Sequence, residues 1–362
     1  MEPGRAVHLV GSLPPDIATA EDGMRFFLDN AGSHLRALLP TGETRRRGLY
    51  VAPIVDGLAT HPALEYVTRG DWSSLTARPT YRLRAGRSLR DAPLDDKLGY
   101  FKETDDALPV FRKLRAEYDR TDLRFQAGLP SPLSFSFIAF NHRVMQVYKR
   151  GGSSGEGRWP YYRPIAEATG REAARIHELG GDDVVLQLEI PAETLLVAKA
   201  PPGLRSIVAA AAARSVANIV ARLPRGAGMG VHLCFGSLHN QPGARPRSTA
   251  PMVALANAIV RRWPAGRELV FVHIPMADGA RPPLQKAYYK HLRRLVIPRQ
   301  TRLIAGVAHE YQPLDEQRRA LALIESAVGH QVDIASACGL GPRASKDVAR
   351  QAIARAIELA AS

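Results

Sequence analysis

Short apolar runs alternate along most of the chain with longer segments whose apolar residues recur at helical spacing. Runs that are apolar on both faces are typical of parallel strands covered by helices, and the 3.6-residue period indicates those helices. We predict strands at Ala6–Gly11, Leu98–Phe101, Arg124–Gly128, Val184–Glu189, Met229–Cys234, Leu269–Ile274, Arg302–Ala308 and Val332–Ala337. We predict helices at Ala20–Leu38, Asp106–Tyr118, Pro132–Tyr148, Ile165–Leu179, Leu204–Arg222, Pro251–Trp263, Leu314–Val328 and Ala344–Leu359.

Eight strands separated by helices predict an α/β fold, the (β/α)₈ TIM barrel, rather than a doubly wound open sheet. Active sites of this fold lie at the C-terminal ends of the strands, and Glu189, His232, Cys234 and Cys338 all fall at such ends. We expect a single barrel domain over residues 1–362.

Three stretches interrupt the alternation. Residues 39–97 are too long and irregular for one loop, so we predict an excursion over the barrel mouth, in which Tyr81–Arg84 is a candidate added strand. The glycine- and serine-rich residues at about 151–158 predict a flexible loop. Ser237–Ala250 is either a mobile lid or a solvated insertion.

Both cysteines of the chain lie in segments that suit a metal site. His232 and Cys234 are two residues apart on one predicted strand and so project from the same face, while Cys338 comes from a distant strand. Two thiolates and an imidazole are ligands that select zinc, and three ligands with one open position would make the site catalytic. The alternatives are that the cysteines are small buried apolar residues or form a disulfide.

Composition adds limits to these hypotheses. A hydrophobic content of 45% over 362 residues is enough for a full core. The formal charge of +14 comes mostly from arginine, which fits an anionic substrate, a nucleic acid, or the arginine usage of a GC-rich coding sequence. The arginines are dispersed, without a basic tail or zinc-finger spacing, so a nucleic-acid partner is not favoured.

With neither a signal peptide nor an apolar stretch of membrane length, we expect a cytoplasmic protein that has no membrane partner. The sequence leaves the oligomeric state open.

Four short segments follow one another from residue 8 to residue 341: His8–Pro14, Gln187–Pro191, His232–Cys234 and Cys338–Leu340. In this order they resemble the G-S-x-P, Q-x-D-E-P, H-x-C and C-G-L segments of the catalytic domain of cobalamin-independent methionine synthase. That domain and its single-barrel relatives belong to the superfamily that includes uroporphyrinogen decarboxylase. The resemblance implies Zn²⁺ bound by His232, Cys234 and Cys338. It also implies substrate binding by Gly11, Ser12, Gln187 and Glu189.

The chain departs from that family at several positions. Where the family has a glutamate zinc ligand, the chain has His273, which is a candidate fourth ligand or a histidine merely packed at a strand end. The acidic pair of the Q-x-D-E-P segment is reduced to Glu189.

The segment that carries the family's catalytic histidine reads His309-Glu310-Tyr311 in this chain. These three residues are candidate catalytic acids, and His309 is favoured because its ordinary pKa suits neutral pH. Arg343 is a candidate for binding an anionic group, or else an ordinary surface arginine at a helix start.

These features predict a zinc-dependent transferase that moves a methyl or alkyl group from an alkyl donor to a zinc-activated small-molecule thiol. The thiol is either homocysteine-like or a small sulfonated thiol such as coenzyme M. Folate use stays open, because the acidic positions differ from those of the family. The alternatives are a zinc-dependent lyase or decarboxylase-like barrel enzyme and a non-catalytic barrel that binds zinc or an anionic ligand.

Overall fold

The structure is a computed structural model that describes residues 4–41, 43, 51–74, 77–94, 97–140, 160–236, 242–276 and 283–362. Its strands are β1 Leu38–Pro40, β2 Leu64–Thr68, β3 Thr80–Leu83, β4 Arg124–Pro130, β5 Val184–Glu189, β6 Gly228–His232, β7 Glu268–Pro275, β8 Arg302–Ala308 and β9 Asp333–Ser336. Its α-helices are α1 Ala20–Ala31, α2 Ala52–Gly57, α3 Tyr100–Glu117, α4 Pro132–Phe140, α5 Tyr162–Gly180, α6 Pro191–Lys199, α7 Arg205–Val220, α8 Ala250–Arg262, α9 Lys286–Tyr289, α10 Leu314–Val328 and α11 Lys346–Ala360. Short 3₁₀ helices lie at Gly32–His34, Leu58–Thr60, Gly181–Asp183, Pro202–Leu204 and Lys290–Arg294.

Seven parallel strands form one curled sheet in the order β1-β4-β5-β6-β7-β8-β9. The segment around Val7 joins its two edges, because Val7 makes parallel bridges to Leu35 on one side and to Ile334 on the other. The His8 amide donates to the Ile334 carbonyl over 2.8 Å, and the Val7 amide donates to the His34 carbonyl over 2.9 Å. The predicted (β/α)₈ fold class is confirmed, but the strand predicted at Ala6–Gly11 is reduced to the isolated bridges of Val7, which close the sheet, because its neighbours pair there only briefly.

Side chains alternate between the barrel interior and the layer of helices outside. On β6, Met229 and Val231 belong to the large apolar core between strands and helices, whereas Gly230 lies on the opposite face. The interior has its own small apolar cluster, formed by Leu38, Val185, Val270, Phe271, Ile304 and Ala335. The Phe271 ring fills the space beside Gly230, where an added Cβ would lie 2.1 Å from the ring.

The prediction of the second barrel strand was wrong. Leu98–Phe101 is not a strand: Gly99, at φ 73°, precedes α3, which begins at Tyr100. The strand in this position is β1, which pairs in parallel with β4 from Leu38 to Pro40. It was hidden because the predicted helix Ala20–Leu38 runs too far, whereas α1 ends at Ala31.

The excursion between β1 and α3 carries a small antiparallel hairpin of β2 and β3, so the added strand predicted at Tyr81–Arg84 is confirmed as Thr80–Leu83. The hairpin packs on α4, which directly follows the C-terminal end of β4. Arg78, just before β3, stabilises the contact between the hairpin and α4, because its Nε donates to the Ile138 carbonyl over 2.7 Å.

The other predicted helices agree with the structure near their centres. Leu314–Val328 is confirmed to the residue, and its end is set by Gly329 in the left-handed region at φ 85°. Helix α3 starts earlier than the predicted Asp106. The predicted helix Pro132–Tyr148 is described only as far as Phe140. The predicted loop at 151–158 and residues 237–241 of the predicted lid lie outside the described residues.

Within the described residues, one segment, Pro202–Val220, is long and apolar enough to cross a membrane by length and composition alone. Most of it is α7, which lies against α6 and α8 in the ring of barrel helices.

The close contact between Gly230 and the Phe271 ring generates a stability prediction. We expect Gly230→Ala to lower the free energy of unfolding by about 1–3 kcal/mol, because the added methyl group overpacks the barrel interior. Gly203→Ala is the control, since no described atom lies within 4 Å of its Cβ position. Denaturant unfolding of the two variants and the wild type measures the difference, and equal stability of both variants would contradict this account of the interior.

Candidate metal centre and active site

His232, Cys234 and Cys338 meet at the C-terminal mouth of the barrel. His232 ends β6, Cys234 follows two residues later, and Cys338 follows β9. One ligand atom from each residue lies within 4.8 Å of the others, and the two sulfurs are 3.2 Å apart. His232 and Cys234 are buried, and Cys338 is half-buried. The structure therefore brings together three of the residues that the sequence proposed as metal ligands.

The neighbouring thiol of Cys338 favours the protonated form of Cys234. The hydrogen bond with Cys338, followed by burial, raises the pKa of Cys234 well above its ordinary value, while the Gly236 backbone acts in the opposite direction. That backbone N–H donates to the Cys234 sulfur over 3.1 Å. A cation placed between the sulfurs would reverse the preference, because it stabilises the thiolates.

The donor set fits a zinc ion. Among the described residues, Nε2 of His232 is buried without a hydrogen-bond partner, so it is available as a ligand atom. Two thiolates and one imidazole are a common set for tetrahedral zinc and leave one position for a substrate. These features fit a metal site.

His273 lies beside this group, against His232. The two residues are register partners on β7 and β6. Their Nδ1 atoms are 2.5 Å apart, and their ring planes are nearly parallel, with centroids separated by 4.6 Å. Burial, followed by the charges of His232 and His8, holds the pKa of His273 well below its ordinary value, against a smaller effect of the Ser336 backbone. His273 is not in the metal group found among the described residues, and its role as a fourth ligand stays a prediction.

Below the metal group, amide side chains line the barrel interior. Gln126 donates through Nε2 to the Leu9 and Val10 carbonyls, each over 3.0 Å. Gln187 donates through its own Nε2 to the Val10 carbonyl over 2.8 Å and to Glu189 Oε1 over 3.3 Å. The predicted substrate residues Gln187 and Glu189 are thus both buried and joined, and Glu189 is the register partner of His232.

A second carboxylate, Glu43, lies at the same end of the barrel and was missed in the sequence. It is buried, with 6% of its surface exposed. Its Oε1 lies 2.6 Å from the point where a Cβ on Gly128 would stand, and Glu189 Oε1 lies 3.6 Å from the same point. Gly11, a predicted substrate residue, also borders Glu43, since a Cβ there would be 3.3 Å from Oε1. No motif marks Glu43, because it lies in the irregular stretch after β1.

Ser12 contacts the loop that carries Cys338. Its carbonyl accepts from the Leu340 amide over 2.9 Å, and its hydroxyl accepts from the Gly341 amide over 3.2 Å. The predicted thiol-binding segment therefore also braces the second cysteine.

The three candidate acids follow β8. His309 and Glu310 are buried, whereas Tyr311 is 65% exposed. Nδ1 of His309 accepts from the Tyr311 amide over 3.2 Å, a contact that favours the neutral ring. Burial lowers the pKa of His309, and the opposing effects of Glu310 and Arg343 are smaller.

Arg343 is buried rather than on the surface. Its Nε and one terminal nitrogen donate to the two oxygens of Glu310 over 3.1 and 3.2 Å. Its other terminal nitrogen donates to the Gly339 carbonyl over 3.1 Å. These bonds join the loop after β8 to the loop of Cys338. The sequence proposed that Arg343 binds an anionic ligand, whereas in the structure Arg343 is paired with the carboxylate of Glu310.

No protein-family model matches the chain, and no curated protein matches it. Solved structures do. A B12-independent methionine synthase from Shewanella sp. W3-18-1, in complex with selenomethionine, aligns with a TM-score of 0.61 at 13% identity over 99% of this chain and 97% of its own. A methyltransferase from Methanosarcina mazei aligns with a TM-score of 0.54 at 14% identity over 99% of this chain and 94% of its own. The resemblance drawn from the four sequence segments is thereby confirmed in the fold, and the chain has, over nearly its whole length, the fold of the B12-independent methionine synthase structures.

Proposed function

We propose that the protein is a zinc-dependent transferase that moves a methyl or alkyl group from an alkyl donor to a small-molecule thiol. The observation that carries this proposal is the convergence of His232, Cys234 and Cys338 at the catalytic end of a barrel. The similarity in fold to a methionine synthase and to a methyltransferase supports it.

His232, Cys234 and Cys338 would hold the zinc through one nitrogen and two sulfurs. Zinc, when bound, lowers the pKa of a substrate thiol so that it reacts as a thiolate at neutral pH. The protein keeps these three ligands together at the C-terminal mouth of the barrel. Ser12 contributes by fixing the Cys338 loop through the Gly341 amide.

Glu43 and Glu189 favour a thiol that carries a cationic amine. Their Oε1 atoms both border Gly128, at 2.6 and 3.6 Å from the place that a Cβ of this residue would take, so the two carboxylates lie close together at the barrel mouth. Arg343, the nearby candidate for an anionic group, is bonded to Glu310. The methionine synthase structure was solved with selenomethionine, an amino acid whose selenium carries a methyl group. Homocysteine-like amino thiols therefore fit this mouth better than sulfonated thiols.

In the transfer step, the thiolate sulfur forms a bond to the alkyl carbon as the bond from that carbon to its nitrogen or oxygen breaks. The leaving atom keeps the electron pair and takes a proton. We propose that His309 in its charged form donates this proton through Nε2 and so returns to the neutral ring, whose Nδ1 accepts from the Tyr311 amide.

The first prediction concerns the metal ligands. We expect about one zinc per chain in the wild type, and we expect Cys234→Ser and Cys338→Ser to lose both the zinc and thiol alkylation, since a hydroxyl is a poor zinc ligand. Elemental analysis and an alkyl-transfer assay measure the two properties. Ala337→Ser, which adds a hydroxyl beside Cys338, is the control and should keep the metal. An active variant without zinc, or a wild type that binds none, would exclude the proposal.

The second prediction concerns the amino group of the substrate. Glu43→Gln and Glu189→Gln should each raise KM for an amino thiol by about 10- to 100-fold, because each replaces the charged acceptor of the ammonium group with a neutral one. KM for the same thiol without the amino group should change little. Glu65→Gln, on the hairpin of the excursion, is the control. An equal increase in KM for both thiols would show that the carboxylates do not bind the amino group.

The third prediction concerns pH. Because the pKa of His309 lies below its ordinary value, its charged form is scarce at pH 7 and increases as the pH falls through that pKa. We expect the limiting transfer rate to rise as pH falls below about 6.5. His309→Gln should remove this rise, and His330→Gln, at an exposed histidine, should keep it. A rise that persists in His309→Gln would assign the proton to another group.

A further inference from the structure

The contact between His232 and His273 has a structural origin in the sheet. The two residues are register partners on adjacent parallel strands, so their side chains project side by side into the barrel. The Leu233 amide donates to the His273 carbonyl over 3.0 Å, which fixes this register just beyond β6. The two ring planes are nearly parallel, with an interplanar angle of 9°.

The Nδ1 atoms, 2.5 Å apart, make a hydrogen bond that needs one proton. Two neutral imidazoles supply it when one ring carries hydrogen on Nδ1 and the other accepts there. A metal bound through Nε2 of His232 requires the lone pair on that nitrogen, so the hydrogen of His232 must be on Nδ1. His273 must then be the acceptor at Nδ1 and carry its own hydrogen on Nε2.

We propose that His273 is a positioning residue for the metal-binding His232: it accepts the Nδ1 hydrogen and thereby fixes the ring orientation and tautomer that present Nε2 to the metal. This inference rests on the proposed metal site. It gives His273 the role that carboxylates and backbone carbonyls have behind many zinc-bound histidines.

The surroundings of His273 support this role. Its Nε2 lies beside Gly306, where a Cβ would come within 2.8 Å of it, so the glycine leaves room for the ring. The His8 ring covers another side, with centroids 5.8 Å apart.

Substitution of His273 separates a positioning residue from a ligand. We expect His273→Ala to weaken Co²⁺ and Zn²⁺ binding to the full-length metal-free protein by about 10- to 100-fold. His273→Asn should restore most of the affinity, since its Oδ1 offers an acceptor where Nδ1 was. His273→Gln, whose carbonyl is one bond farther out, should not. His330→Asn, at an exposed histidine, is the control and should bind metal as the wild type does.

Metal-edge X-ray absorption counts the ligands independently of affinity. The wild type should show two sulfurs and one imidazole, and His273→Asn should show the same set. Two imidazoles in the wild type, or wild-type affinity in His273→Ala, would overturn the inference while leaving the metal site standing. Failure of the wild type to bind either metal would instead overturn the proposed function. If His273→Ala does not fold, the Asn and Gln variants decide the question.

Discussion

The register of β6 against its neighbours is the constraint on which the candidate site depends. It aligns Glu189, His232 and His273 in one row across three parallel strands, and the two-residue period of the strand sends all three side chains into the barrel. A slip of one residue would move His232 into the apolar layer under the helices and bring Val231 inside. Met229, Val231 and Leu233 oppose such a slip, because all three are buried in the large core on the outer face.

The loops beyond the strands need support of their own, since Cys234 and Cys338 both lie past the last ladder hydrogen bonds of their strands. The Cys338 loop is held on one side by Ser12 and on the other by Arg343, which reaches the Gly339 carbonyl. Arg343 is in turn held by Glu310 in a buried two-point ion pair. Removing one partner of such a pair typically costs about 3–5 kcal/mol, because the remaining charge is left buried and alone. The pair therefore keeps the second sulfur near the first.

The sequence predicted those parts of the structure that a local pattern of residues determines. The apolar runs of β5 and β8 are continuous, and their predicted bounds match the structure; the spacing of His232 and Cys234 follows from the strand period. The signal failed where structure depends on distant contacts. Strand β1 has only three residues and is defined by its pairing with β4, which no local pattern reveals. Glu43 was missed for the same reason, because its place at the mouth depends on where β1 ends. The contact of His273 with His232 required the register between two strands, and the sequence alone offered His273 as a candidate fourth ligand or as a histidine packed at a strand end.

The charge of the whole chain and the charge of the site point in opposite directions, and the structure explains why. Many arginines lie on the surface in pairs with carboxylates, as Arg25 does with Glu21 and Glu117. The field of such exposed groups is screened within about 10 Å at 0.1 M salt. At the barrel mouth, Glu43 and Glu189 are buried, so salt screens their charges less than it screens exposed ones. A net charge of +14 can therefore influence how a ligand approaches the protein, while under the proposed function the carboxylates near the metal group would select the ligand that is held there.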